Sequence, residues 1–265
     1  MFIVKVPGIN GENSEGCQRA GNAVLKELRE IYCNEQKTLV NFDSLELEEI
    51  HLDNSNLKLT NDLIYENALE TFQLKLASIF LGGDNSISYS ILKAFLENCS
   101  QNKTKPCLIV FSANGNCQEI SEFATNKNWL SKLVESGFPS ENILLVGVRN
   151  FQKEELKFLK KHSIKNIPAA SIVEDLHEIC DTIMEFSNGK ELYVSIDFSI
   201  IDPAFAPSVI SSQPGGMTSR EFLYIIQRLK KVKNLRAVDL VEINEKQDLD
   251  KKTVKLGAKV LSELI

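Results

Sequence analysis

Residues 107–116, CLIVFSANGN, join a strand-like run to a loop of small polar residues. Every residue of CLIVF is apolar, which predicts a strand buried on both faces, as in a parallel sheet covered by helices on both sides. The loop offers Ser112, Asn114 and Asn116 but no charged side chain. Because α/β proteins bind ligands in the loops at the carboxyl ends of their strands, the chemistry of the protein depends on what such an uncharged loop can do.

Similar apolar strands are predicted at residues 142–148 (NILLVGV) and 235–243 (LRAVDLVEI). Segments with apolar residues at helical spacing alternate with the strands, and one long helix is predicted for SIVEDLHEICDTIMEFSNG, residues 171–189. Alternating strands and helices with right-handed crossovers give a three-layer αβα sandwich around a mostly parallel sheet. We therefore predict a single α/β domain over residues 1–265.

The composition narrows the class of protein. The formal net charge is −6 and the pI is about 5.3, which disfavours a nucleic-acid or anionic-membrane binder because such proteins lean basic. No uncharged apolar run approaches the roughly 18 residues of a membrane span, and no signal-peptide pattern is present. The six cysteines are scattered without a CxxC pair, which indicates reduced thiols in a cytoplasmic protein and no disulfide framework or zinc site.

Four loops follow predicted strands and should meet at one edge of the sheet. They are GGDNS (82–86), SANGN (112–116), DFSIIDPAFAPS (197–208) with SSQPGG (211–216), and VEINEKQD (241–248). Whatever ligand or reaction the protein handles is expected in these loops.

In this order the four loops resemble those of the ureohydrolase family of arginases, agmatinases and formimidoylglutamases. The likeness is strongest in SIDFSIIDPAFAPS (195–208) followed by QPGGMTSREF (213–222), and it covers nearly the whole chain. The resemblance implies an arginase-like fold, in which active members hold two manganese ions on six protein ligands and hydrolyse guanidino compounds.

The six ligand positions that the resemblance assigns carry mostly neutral residues here. Asp197 keeps the family's carboxylate. At the other five positions, Asn85 and Asn114 stand for histidines, and Ser112, Asn116 and Ser199 stand for aspartates. Gln213 stands where the resemblance places a substrate-binding glutamate.

Counting charge gives the chemical consequence. Two divalent cations bring about +4, which four carboxylates balance, whereas Asp197 alone leaves about +3 uncompensated in a buried site. We therefore predict no manganese pair, no cofactor, and no catalytic or metal-ligating residue at this place. Without a metal-bound water of lowered pKa, no neighbouring side chain can activate a nucleophile, and Cys117 has no histidine nearby in sequence to activate its thiol.

The leading hypothesis is a catalytically inactive ureohydrolase-like protein that acts as a homo-oligomer or as a regulatory subunit of an active paralogue. A second is a binder of a small polar metabolite in the pocket, with Asp197, Gln213 and Glu242 as ligand-binding residues. A third is an atypical amidinohydrolase, acting on linear amidines, with a displaced or single metal.

Overall fold

The computed structural model describes residues 1–119 and 121–265, and its strands form one parallel sheet. In this part of the chain the sheet has eight strands in the order β2-β1-β3-β8-β7-β4-β5-β6. The strands are β1 (Phe2–Val6), β2 (Glu46–Glu49), β3 (Ser78–Gly82), β4 (Pro106–Phe111), β5 (Ile143–Val148), β6 (Lys165–Pro168), β7 (Glu191–Asp197) and β8 (Leu235–Val241).

Helices connect the strands and cover both faces of the sheet. They are α1 (Ala20–Leu28), α2 (Leu57–Leu74), α3 (Ser86–Gln101), α4 (Trp129–Glu135), α5 (Lys153–Lys161), α6 (Ala169–Glu174), α7 (Leu176–Ser187), α8 (Ser219–Leu229) and α9 (Lys252–Leu264). No helix among the described residues is both long and apolar enough to cross a bilayer.

Two hydrophobic cores lie on opposite faces of the sheet, and β4 contributes to both. Cys107, Ile109 and Phe111 pack against α1 and α6 to α9, while Leu108 and Val110 pack against α2 to α5. Successive side chains of a strand point to opposite faces, so a strand between two helical layers is expected to be mainly apolar on both faces. The prediction of a three-layer α/β sandwich with a parallel sheet is confirmed.

The long helix predicted for residues 171–189 is interrupted. Asp175 has φ −150° and ψ 92°, and its carboxylate accepts a hydrogen bond from the Glu178 backbone N–H at 2.9 Å, so α6 ends before it and α7 begins after it. An aspartate that caps the next helix satisfies a free backbone donor, and this local hydrogen bond prevails over the continuous apolar spacing.

The edge strand β2 differs from the buried strands. All four of its residues, Glu46–Glu49, are exposed, and three of them are glutamates. Lys75 pairs with Glu46 and Lys5 pairs with Glu49, so two of the three carboxylates are partly neutralised by neighbouring cations.

A buried carboxylate lies in the middle of the sheet on β8. Asp239 accepts hydrogen bonds from Tyr193 Oη at 2.8 Å, Ser88 Oγ at 2.8 Å and the Ile196 N–H at 3.3 Å. Its side chain is fully buried, and burial raises the pKa of Asp239 from the ordinary 3.8 to about 6, against the opposing effect of these hydrogen bonds.

Asp239 should therefore make the stability depend on pH. Its pKa is higher in the folded than in the unfolded chain, so its contribution to stability is greatest below about pH 4 and is lost as the pH rises through about 6. One pKa unit corresponds to roughly 1.4 kcal/mol, so the loss is about 3 kcal/mol. Urea unfolding between pH 4 and 7 measures this. The free energy of unfolding of the native chain should fall by about this amount relative to that of Asp239→Asn. The control Asp181→Asn, at an exposed carboxylate, should show the same pH dependence as the native chain.

Candidate functional site

The carboxyl ends of β3, β8, β7 and β4 are adjacent in the sheet and bring the four predicted loops together. A cavity of about 240 Å³ opens there. Asn85, Asn114, Asn116 and Asp197 line it, while Ser112 and Ser199 lie directly beneath, fully buried. The structure thus assembles at one place all six positions that the sequence singled out.

Asp197, the last residue of β7, is the centre of this group. Its Oδ2 accepts hydrogen bonds from Ser112 Oγ at 2.7 Å and from Asn85 Nδ2 at 3.0 Å, and its Oδ1 accepts one from the Ser199 N–H at 2.8 Å. Only 2% of the residue is exposed, and burial raises the pKa of Asp197, while these hydrogen bonds act in the opposite direction. The carboxylate is therefore occupied by the protein's own donors.

Ser112 links Asp197 to the rest of the uncharged loop. Its hydroxyl donates to Asp197 and accepts from Asn116 Nδ2 and from the Asn114 N–H, both at 3.1 Å. Asn116 adopts φ 53°, a left-handed conformation that asparagine tolerates better than most residues. The Asn114 Oδ1 accepts a hydrogen bond from Asn150 Nδ2 at 3.1 Å, and both residues line the cavity. The loop is held by a network of neutral groups.

Glu242 follows β8 and forms the floor of the cavity beside Asn85. Its Oε1 accepts the Asn85 N–H at 2.8 Å, and its backbone has φ 70°. Burial, followed by repulsion from Asp197 and Asp84, raises the pKa of Glu242 well above its usual range. Asp197 and Glu242 both line the cavity.

Gln213 lies elsewhere. It is not among the residues that line the cavity, and its backbone carbonyl accepts from Arg149 Nη2 at 2.7 Å. Arg149 also donates to the carbonyls of Ser199 at 2.7 Å and Pro214 at 3.0 Å. This arginine fastens both ends of the long loop that follows β7. Its position after the apolar run of β5 was the signal that could have identified it.

Asp202 also holds the loop that follows β7. Asp202 Oδ2 accepts the Gly215 N–H at 2.8 Å and the Gly216 N–H at 3.1 Å, and its Oδ1 accepts the Ala204 N–H at 3.0 Å. These backbone hydrogen bonds lower the pKa of Asp202. Arg149 and Asp202 therefore hold the rim of the cavity in one shape.

Glu155 lines the cavity, although no pattern in the sequence pointed to it. It lies in the first turn of α5, where its carboxylate accepts from the Gln152 N–H at 2.9 Å and the Cys117 N–H at 3.4 Å. Burial raises its pKa. Cys117 is itself buried, and burial raises the pKa of its thiol far above the ordinary value, which suits an inert thiol. All six cysteines are free.

The six positions do not fit a pair of manganese ions as a donor set. They supply one carboxylate, already bonded to three donors, with three amides and two hydroxyls, which are weak ligands. Across residues 1–119 and 121–265, no group of three or more His, Cys, Asp or Glu side chains is arranged to hold a metal ion. This mismatch is a property of the six side chains at the site. The protein family is identified separately, from the whole chain.

Comparison with known proteins identifies that family. A model of the Arginase family matches residues 1–265. Arginase 1, mitochondrial, from Oryza sativa subsp. indica is 28% identical over 192 residues, which cover 71% of this chain and 54% of the rice protein. Agmatinase from Bacillus subtilis is 24% identical over 232 residues, which cover 86% of this chain and 77% of that protein. The chain thus spans about half the length of the rice arginase.

Solved structures agree with the fold. A proclavaminate amidino hydrolase from Streptomyces clavuligerus superimposes with a TM-score of 0.88 at 20% identity, covering 99% of this chain and 89% of that one. Formimidoylglutamase from Bacillus subtilis gives a TM-score of 0.87 at 22% identity, covering 99% and 85%. The architecture is shared over almost the entire chain.

The prediction that the protein uses no cofactor is wrong. It was drawn from six positions alone, and the match to the Arginase family over residues 1–265 overturns it, because that family is built around a manganese pair. Metal content therefore has to be measured for this chain, because counting charges at six positions does not decide it.

Proposed function

Because the chain belongs to the arginase family, we propose that it is a member that does not hydrolyse guanidino compounds and that acts through association with other subunits. The observation that carries the proposal is the state of Asp197. It is the one carboxylate at the six positions, and three donors of the protein already bind it.

The remaining groups of the cavity support the same conclusion. Hydrolysis at neutral pH needs a group that generates hydroxide or removes a proton from water. Glu242 and Glu155 each accept a backbone N–H group, so their carboxyl oxygens are engaged by the protein's own donors. No histidine lines the cavity.

The proposal that the protein acts through association is supported by a contrast between its preserved fold and its altered site. The fold, the hydrogen bonds that hold the loop after β7 and the buried network are complete, while five of the six side chains at the reaction centre are neutral. A protein that keeps a scaffold without its chemistry can serve as a homo-oligomer or as a regulatory subunit of an active paralogue, since fold and activity are separable.

A urea-release assay tests the catalytic half. Protein prepared with Mn²⁺ should give no turnover of arginine or agmatine above the protein-free background, with the Bacillus subtilis agmatinase as a positive control. Metal analysis of the same sample shows whether manganese was present. Turnover with stoichiometric metal would establish an atypical amidinohydrolase and end the proposal.

Light scattering and co-purification test the associative half. We expect an oligomer of this chain or a stable complex with an active paralogue expressed in the same cells. A strict monomer that binds no paralogue contradicts this half and leaves the catalytic half untouched.

A further inference from the structure

The cavity has an unusual lining for its size. Eight of its fifteen lining residues are asparagine or glutamine, and Ile210 is the one aliphatic residue among them. Most small-molecule pockets are mainly apolar with a few polar groups. A carboxamide presents a donor and an acceptor side by side, so this surface offers both kinds of hydrogen-bonding group to a ligand.

Two of these amides carry carbonyl oxygens with no partner. Asn85 Oδ1 and Asn126 Oδ1 are buried and unbonded, in residues that are 1% and 7% exposed. Asn85 cannot exchange its oxygen and nitrogen, because its Nδ2 donates to the Asp197 carboxylate, which can only accept. A buried acceptor without a donor is energetically unfavourable, and a ligand carrying donors would relieve that cost at both residues.

The lining carries four carboxyl groups, those of Glu12, Glu155, Asp197 and Glu242, and one cation, so the charges disfavour an anionic ligand. Lys127, the one cation of the lining, is paired with Glu12 at 2.6 Å at the exposed mouth, so no free cation awaits an anion. A cationic ligand would have to compete for carboxyl groups that the protein already uses, because Glu155 and Glu242 each accept a backbone N–H group. Asp197, which would neutralise a cation, is already bonded to three donors. Hydroxyl groups both donate and accept.

We propose that this cavity binds a small, uncharged, polyhydroxylated molecule, such as a polyol or a monosaccharide, with hydroxyls donating to Asn85 Oδ1 and Asn126 Oδ1. The volume of about 240 Å³ lies below the roughly 300–1,000 Å³ of sites for drug-sized ligands, which suits a molecule of this size. The inference deepens the proposed function, because it assigns the pocket of a non-hydrolytic member to binding.

Thermal shift and calorimetry with xylitol, D-ribose and D-glucose at low millimolar concentration test this, with agmatine and inorganic phosphate as charged probes. We expect at least one polyhydroxylated probe to raise Tm by about 2 °C or more. Asn85→Ala and Asn126→Ala should each weaken that binding at least tenfold. Asn166→Ala is a matched control, because Asn166 also has an unpartnered buried carbonyl but lies on β6 outside the cavity.

The outcomes separate clearly. Equal shifts in the native chain and in both cavity variants would indicate general stabilisation by excluded solutes and would overturn the inference, as would binding of agmatine or phosphate alone. Unfolding curves of each variant without ligand identify any that fail to fold, in which case calorimetry on the other variant decides. Urea release together with xylitol or sugar binding would refute the proposed function while leaving this inference standing.

Discussion

Installing the family's residues at five positions should raise the affinity for Mn²⁺ at least about 100-fold, as measured by calorimetry. Three added carboxylates would balance most of the charge of two divalent ions, and two imidazoles would add nitrogen donors. Asp197 stays as it is. The variant combines Asn85→His, Ser112→Asp, Asn114→His, Asn116→Asp and Ser199→Asp.

A matched variant distinguishes coordination from charge. Asn13→Asp, Gln118→Glu and Gln152→Glu add the same number of carboxylates to the lining of the same cavity, outside the six positions. It should gain less than about tenfold in affinity, since it adds attraction without directed ligands. Equal manganese affinity in the native chain and the five-residue variant would show that the residues already present suffice.

Arg149→Ala should be among the most destabilising single changes outside the cores. The guanidinium donates to carbonyls at both ends of the loop after β7, those of Ser199, Gln213 and Pro214 among them. Hydrogen bonds to charged groups contribute about 1.5–3 kcal/mol each and are not additive, so we expect a loss of about 3 kcal/mol. In a chain of this size that lowers Tm by about 6–12 °C.

Calorimetric unfolding of Arg149→Ala, with Arg220→Ala beside it, checks this. Arg220 is exposed and pairs with Glu35 alone, so its loss should cost less than about 1 kcal/mol. Arg149→Lys keeps the charge but not the planar fork, and we expect it to recover less than half of the loss. An Arg149→Ala variant as stable as Arg220→Ala would show that the loop needs no such clamp.

The fold could be predicted because its central strands, such as β4 and β5, are apolar on both faces. A strand such as β4, with residues that alternate between two cores, has no solvent side, and its composition alone places it inside a three-layer structure. The break at Asp175 could not be foreseen, because an aspartate on the polar side of a periodic segment is compatible both with a helix surface and with a cap.

The site was predictable where its residues directly follow strands. Ser112, Asp197 and Glu242 lie at or just after strand ends, so the topology of the sheet fixes their proximity. Asn126 and Glu155 enter from a loop and from a helix, and their places depend on tertiary packing that no local pattern expresses. Gln213 is the opposite case. The sequence motif around it was evident, but its backbone carbonyl, and not its side chain, accepts the hydrogen bond from Arg149.

The row of glutamates on β2 bears on how copies of this chain can assemble. An edge strand offers free backbone groups to any passing strand, and like charges along it discourage such lateral growth. Two β2 edges placed side by side would repel each other through their glutamates. The strand at the opposite edge of the sheet, β6, ends in Pro168, which has no N–H to donate. The assembly proposed above should therefore use helical faces, with the sheet of each copy remaining separate.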